Sequence, residues 1–217
     1  MTRVLALVGD YYHCSDGLLG LLYRLAWPAG VELTARRYPD PYAPGELPGF
    51  DLVVLAAAGQ TGRVHAGDCW FTTGAQEELA ERVRAGSSLL VLHSGIAMHP
   101  VDGALRRLTG GHFLSHPPDH PEVTLVPVAD HPITRGVEQF GAPDEHYFLE
   151  VDPDVTGLLT AISTHGRQPA GWCREVGAGR VCVLTAGHTP AMLESSGLER
   201  LWLNAVCWCL RAEPAGD

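Results

Sequence analysis

Three short apolar runs constrain the fold of this 217-residue chain more than any other feature. They lie within residues 3–8, 51–57 and 89–92, and each leads into a loop or turn that begins near a glycine. Uninterrupted apolar runs of this length are typical of strands that are buried on both faces of a parallel sheet. Helical patterns separate the runs, so the sequence predicts an α/β fold with a doubly wound, mostly parallel sheet.

The helical patterns have recognisable ends. The pattern over residues 18–25 has Asp16 as its predicted N-cap, since a carboxylate there can accept from the first free N–H groups. A second helix is predicted to begin at Thr73 or Gly74, and a last one covers residues 198–210. The intervening residues 59–73 form a long glycine-rich loop that carries His65, and loops of that length are often functional.

The second half of the chain has more extended segments. Residues 170–176 and 180–185 flank Gly177-Ala178-Gly179, a pattern that predicts a β-hairpin extending the sheet. Residues 111–121 are rich in proline and histidine and have little periodicity, so they are predicted to be irregular. No linker or repeat divides the sequence, and one domain is predicted over residues 1–217.

Charge and composition exclude several classes of partner. The chain has 15 basic and 25 acidic residues and a net charge of −10, which disfavours nucleic acid and anionic membranes as partners. We find no signal peptide and no apolar run of transmembrane length, so we expect a cytoplasmic protein. The six cysteines form no C-x-x-C pair and are expected to be reduced.

Candidate site residues follow the ends of the predicted strands. In an open parallel sheet, ligands bind outside the carboxyl ends of the strands. His93 and Ser94 follow residues 89–92, His188 follows residues 180–185, and Asp10 and His13 lie on the loop after the first strand. Of these, Ser94, Asp10 and His13 are candidates for substrate binding. Imidazoles there can move protons or bind a metal, whereas the alternative for each residue is an ordinary role in a turn or a surface loop.

Two further residues are candidates for substrate binding. Trp172 can stack on the apolar face of a sugar, although a tryptophan in a strand is more often part of the core. Arg180 can bind an anionic or hydroxyl-rich ligand, or simply be solvated at the hairpin. His112 and His116 are four residues apart, as in helical metal pairs, but the glycines before them and the prolines after them disfavour a helix.

Several motifs follow one another over nearly the whole chain. They include Leu92-His93-Ser94-Gly95, Gly110-Gly111-His112-Phe113, His116-Pro117, His131-Pro132-Ile133-Thr134, Asp144-Glu145-x-Tyr147, Trp172-x-Arg174 and Gly187-His188. Taken in this order, the motifs resemble the ThuA-like (trehalose utilisation) family, and the resemblance implies a flavodoxin-like sheet of the class I glutamine amidotransferase-like type. It also implies catabolism of trehalose or related sugars, including 3-keto sugars.

The resemblance also bears on the chemistry. In glutamine amidotransferases the turn after this strand carries a nucleophilic cysteine, and His93 stands at that position here. A glutaminase is therefore not expected. The family pattern adds His116 and Glu145 to His93 and His188 as candidate catalytic residues.

These four residues lead to two hypotheses of different classes. The first is a sugar-modifying enzyme (an isomerase, lyase or hydrolase) that binds a small sugar or polyol and uses His93, His116, Glu145 and His188 for proton transfer. The same set leaves open a divalent metal such as zinc, which three imidazoles and a carboxylate would suit. The second is a non-catalytic binding or scaffolding module with a degenerate amidotransferase-like site. A homodimer is the default oligomer.

Overall fold

The computed structural model describes residues 1–37, 45, 47–59 and 70–214. Most of the predicted functional loop, including His65, lies outside these residues. The strands and helices follow in chain order: β1 (Thr2–Val8), α1 (Ser15–Arg24), β2 (Val31–Arg37), β3 (Leu52–Ala56), α2 (Thr73–Arg84), β4 (Ser88–Leu92), α3 (Ala104–Thr109), β5 (Gly111–Ser115), β6 (Glu122–Pro127), β7 (Phe140–Pro143), β8 (Phe148–Val151), β9 (Thr156–Ser163), β10 (Gly166–Val176), β11 (Gly179–Leu184), α4 (Pro190–Leu193) and α5 (Ser196–Leu210).

A nine-stranded sheet runs through both halves of the chain, in the order β2-β1-β3-β4-β11-β10-β9-β6-β7. The first five of these strands pair in parallel, and the remaining pairs are antiparallel. The parallel part has the doubly wound order of flavodoxin-like folds, in which the strand order reverses between β1 and β3. The predicted fold class is therefore confirmed, and so is the predicted hairpin, formed by β10 and β11.

Alternating side chains of the parallel strands enter two separate cores. In β1, Val4 and Ala6 pack on the side of α1 and α5, whereas Leu5 and Leu7 pack on the side of α2 and α3. All four are almost completely buried, which explains why the strand sequence is apolar without alternation. Burial of each large aliphatic side chain contributes about 1.5–3 kcal/mol.

Two local predictions are wrong. Helix α1 has Cys14 at its N-cap, and Asp16 lies within the first turn, where its carboxylate pairs with Arg37. Residues 111–115 are not irregular but form β5, which pairs with β8 in a separate two-stranded sheet. The local sequence could not predict this pairing, because the partner strand lies more than thirty residues further along the chain.

None of the helices in the described part of the chain has the length and apolar character needed to cross a membrane.

The turn after β4 packs directly against β3. It is a short 3₁₀ helix, His93–Ile96, and a Cβ atom on Gly95 would overlap the backbone carbonyl oxygen of Leu55. Only glycine allows this close approach, because the obstructing atom belongs to the backbone of a central strand.

The variant Gly95→Ala should therefore destabilise the protein by about 1–3 kcal/mol, the usual cost of overpacking. The control is Gly74→Ala in α2, where a Cβ would meet no atom within 4 Å and alanine favours the helix. Urea unfolding of both variants measures the difference. Equal stability of the two variants would contradict the packing argument.

Candidate active site

His93 lies at the carboxyl end of β4 in a strained backbone conformation. Its φ angle is +43°, a left-handed value that costs a non-glycine residue about 1–3 kcal/mol and is found mainly at functional sites. The side chain is completely buried, and Nδ1 donates to the carbonyl oxygen of Thr185 at 2.9 Å. The ring also stacks on Tyr147, with 5.0 Å between the centroids. The turn thus directs Nε2 of His93 along the carboxyl edge of the sheet.

His188 is held by the buried carboxylate of Asp144. The backbone N–H groups of Gly187, His188 and Thr189 donate to its two oxygens over 2.8–3.0 Å. Burial raises the pKa of Asp144, although His93 and these N–H groups act in the opposite direction. Asp144 therefore faces the turn after β11, while the adjacent Glu145 faces the histidines.

The carboxylate of Glu145 lies at the centre of a histidine cluster. Its Oε2 is 3.4 Å from both His93 Nε2 and His188 Nδ1. Its Oε1 is 3.5 Å from His116 Nε2 and 4.0 Å from His120 Nε2. Burial by itself would raise the pKa of Glu145, but the hydrogen bond and charge of His93, with His188 and His116, lower it to about 2.

His93 and His188, which both lie 3.4 Å from Glu145 Oε2, have opposite pKa shifts. Burial lowers the pKa of His93, but the hydrogen bond to Glu145 and the charges of Asp144 and Glu145 outweigh it, and the net pKa is raised. Burial lowers the pKa of His188 to about 4, with the neighbouring histidines acting in the same direction and Glu145 against it. Without a bound ligand, His188 is therefore neutral at neutral pH.

Asp10 fixes a further histidine where the strand order reverses. Its carboxylate accepts from the backbone N–H groups of Tyr12, His13 and, across the sheet, Ala58. It also contacts Nδ1 of His13 at 2.7 Å. Burial would raise the pKa of Asp10, but the hydrogen bond and charge of His13 lower it to about 2. The His13 ring lies 4.9 Å from the ring of His93 and 5.1 Å from that of His188.

The structure thus brings together most of the candidates, which come from separate segments of the chain. Ser94 lies beside them but is completely buried, and within the described residues its Oγ has no hydrogen-bond partner. The candidates that meet around the Glu145 carboxylate, either directly or through a neighbouring ring, are His93, His116, His188, His13 and Asp10.

Trp172 and Arg180 lie elsewhere. Trp172 is 1% exposed in the core, and its Nε1 donates to the carbonyl oxygen of Thr109, so it cannot stack on a ligand. Arg180 lies at the amino end of β11, opposite to the end that leads to His188, and donates to Glu175 and to the backbone of Trp208. Both substrate-binding roles are corrected to structural ones, because the residues face the core and the opposite edge of the sheet.

Two residues of the cluster had no predicted functional role. His120, in the proline- and histidine-rich segment 111–121, has its ring 4.8 Å from that of His188. The hydroxyl of Tyr147 lies 3.3 Å from His93 Nε2. Alternation along an extended segment places Glu145 and Tyr147 on one side, a signal that was present in the sequence. His112 does not join the cluster, since it contacts Arg106 instead.

A cavity of about 470 Å³ opens beside the cluster, between α1 and α4. His13 and His188 form its inner wall, so it gives a ligand access to the cluster. The rest of the wall combines aliphatic residues such as Leu18 and Leu193 with the polar and aromatic side chains of Tyr12, Arg24 and Glu194.

Comparison with known proteins places the chain. The family model of ThuA, described as trehalose utilisation, matches residues 10–209. The chain belongs to this family. No curated protein matches its sequence significantly.

Solved structures share the fold of this ThuA-family chain at low sequence identity. A ThuA-like protein from Parabacteroides merdae has a TM-score of 0.77 and 17% identity, covering 100% of this chain and 92% of its own. A cytoplasmic protein from Salmonella typhimurium has a TM-score of 0.68 and 14% identity, and the match covers 96% of this chain and 99% of that protein. A chain in the structure of PurLQS from Thermotoga maritima has a TM-score of 0.63 and 16% identity, covering 95% and 98%.

The role of Asp144 in the turn after β11 can be tested directly. Asp144→Asn replaces one acceptor oxygen with an N–H₂ group, so at least one of the three backbone donors loses its partner. We expect a loss of about 1–3 kcal/mol in the free energy of unfolding, measured by urea denaturation. The exposed Asp130→Asn is the matched control, and an equal effect of both variants would refute the role of Asp144.

Proposed function

We propose that this ThuA-family protein is an enzyme of carbohydrate catabolism that acts on trehalose or related sugars, including 3-keto sugars, by acid/base chemistry. The observation that carries the proposal is the convergence of four histidines on the single carboxylate of Glu145 at the carboxyl edge of the sheet. Such a set can remove a proton beside a carbonyl group and return one to oxygen, as isomerisation and elimination require.

Exposure suggests how the roles are divided. The His93 side chain is completely buried, so it orients Glu145 and His188 and does not touch a substrate. His188 borders the cavity, so a substrate bound there can contact its ring. His116, on the other side of the Glu145 carboxylate, has a side chain that is 35% exposed and is suited to act as the acid.

The cavity beside His188 is the proposed substrate site. Its wall carries carboxylates, a guanidinium group and the Tyr12 ring, which together suit a ligand with many hydroxyl groups and an apolar ring face. A small sugar or polyol is therefore the proposed ligand. The net charge of −10 supports a protein that works without nucleic acid or membrane partners.

We place this activity in the cytoplasm, a proposal supported by the description of a structural relative from Salmonella typhimurium as a cytoplasmic protein. A homodimer stays a prediction.

A screen of trehalose, related disaccharides and their 3-keto forms tests the enzyme. Glu145→Gln keeps the size of the side chain but removes the charge that contacts His93, His116 and His188. We expect turnover of the best substrate to fall at least about 100-fold, while the exposed Glu122→Gln leaves it unchanged. Product formation by mass spectrometry is the measurement.

Two outcomes would count against this proposal. If no sugar in the screen is converted, the chain is a binding or scaffolding module and not an enzyme. If a sugar is converted equally by Glu145→Gln and wild type, the chemistry takes place at another site.

The position of the substrate can be tested at Gly20, which lines the cavity from the middle of α1. A Cβ there would meet only Nη1 of Arg24, at 3.8 Å, so a side chain can be added without strain. Gly20→Leu should fill part of the cavity and raise KM about tenfold, which corresponds to about 1.4 kcal/mol of binding. Gly20→Ala is the matched control and should change KM little. An unchanged KM in Gly20→Leu would place the substrate elsewhere.

A further inference from the structure

The hydrogen bonds around the cluster fix which ring nitrogens are free. His93 Nδ1 donates to the carbonyl oxygen of Thr185, so Nε2 carries the lone pair in the neutral ring. His13 Nδ1 is held by the carboxylate of Asp10, which leaves its Nε2 as the free nitrogen. A histidine whose one nitrogen is bound to a carbonyl or carboxylate, with the other left free, is the usual arrangement of a metal ligand.

Three donor atoms form a nearly equilateral triangle. His93 Nε2 lies 3.3 Å from His188 Nδ1, and each of these atoms lies 3.4 Å from Glu145 Oε2. For metal–ligand bonds of about 2.0–2.1 Å, the edge of a tetrahedron is about 3.3–3.4 Å. A charge-assisted hydrogen bond would instead shorten the contact to about 2.7–2.9 Å. The observed distances therefore equal the edge expected for ligands that share one ion and are longer than strong charge-assisted hydrogen bonds.

We propose that this site binds one divalent transition-metal ion of the zinc type, with His93, His188 and Glu145 as ligands. The fourth coordination position faces His13, whose donor atom lies within 4.8 Å of the other three. Three protein ligands with a further position beyond bonding distance are typical of catalytic zinc sites and not of closed structural ones. The inference concerns the same site as the proposed function and rests on its assignment as a working site, but it is read out by metal binding.

The donor types and surroundings select the ion and stabilise the site. Two imidazole nitrogens with a third nearby favour zinc and its neighbours over Mg²⁺ and Ca²⁺, which prefer oxygen ligands. The ligands are supported in turn, since the Tyr147 ring stacks on His93 and the Asp144 carboxylate holds the backbone of His188. An ion can enter from the cavity, because His188 and His13 line its wall.

The test uses the full chain after treatment with a chelator. We expect calorimetric titration with Zn²⁺ to give one ion per chain, and Mg²⁺ to give no comparable binding. Co²⁺ should develop the strong visible absorption of a four-coordinate complex. His188→Ala should weaken Zn²⁺ binding at least about 100-fold, and Asp10→Asn, which removes the carboxylate charge that holds Nδ1 of His13, about tenfold. The variant His165→Ala removes an exposed histidine outside the cluster and should leave the affinity for Zn²⁺ unchanged.

Two results would overturn the metal site. One is the lack of any stoichiometric Zn²⁺ binding by the wild-type chain. The other is Zn²⁺ binding of equal strength in wild type, His188→Ala and Asp10→Asn, which would indicate that the ion binds to histidines on the surface. Asp10→Asn serves as the second variant if His188→Ala does not fold.

The two proposals can fail separately. Sugar turnover that depends on Glu145 but needs no metal would support the proposed enzyme and refute the metal site. Stoichiometric metal binding without turnover of any sugar would support the metal site and refute the proposed enzyme.

Discussion

The site depends first on the buried carboxylate of Asp144. By accepting three consecutive backbone N–H groups, it joins the segment between β7 and β8 to the turn after β11. Asp144 and Gly187 in these two segments are 43 residues apart in sequence. Because Glu145 is the next residue, the same junction presents the Glu145 carboxylate to His188 and to His93. A surface ion pair would contribute little to such positioning, whereas a completely buried, fully hydrogen-bonded carboxylate fixes one geometry.

A second constraint is the tight turn after β4. The backbone of His93 has a left-handed conformation, and Gly95 lies against the backbone of β3, so the imidazole is directed over the edge of the sheet. The strain stored there is offset by the packing of the surrounding strands, as is common at functional sites. The chain shares its fold with structures at 14–17% identity, so the architecture tolerates extensive sequence change. What the fold supplies is the position of the turn. The chemistry depends on the side chain that occupies it.

The sequence by itself determined the central architecture. Apolar runs without alternation required strands buried on both faces, and the helices between them required parallel connections, so the doubly wound sheet and the position of its carboxyl edge were predictable. His93 and His188 could be assigned to that edge because each follows directly after such a strand. The sequence also placed Glu145 and Tyr147 on the same side of an extended segment. It did not show that both residues contact His93.

Only the tertiary structure decided which of the remaining residues belong to the site. His116 and His120 reach Glu145 because β5 pairs with β8, a contact between segments that carry no matching local pattern. Conversely, Trp172 and Arg180 had side chains suited to binding a sugar but lie away from the site. Trp172 points into the core, and Arg180 lies at the amino end of its strand. Local sequence sets propensity and periodicity. The distances between donor atoms, on which the proposed proton transfer and the proposed metal site depend, arise only when distant segments pack together.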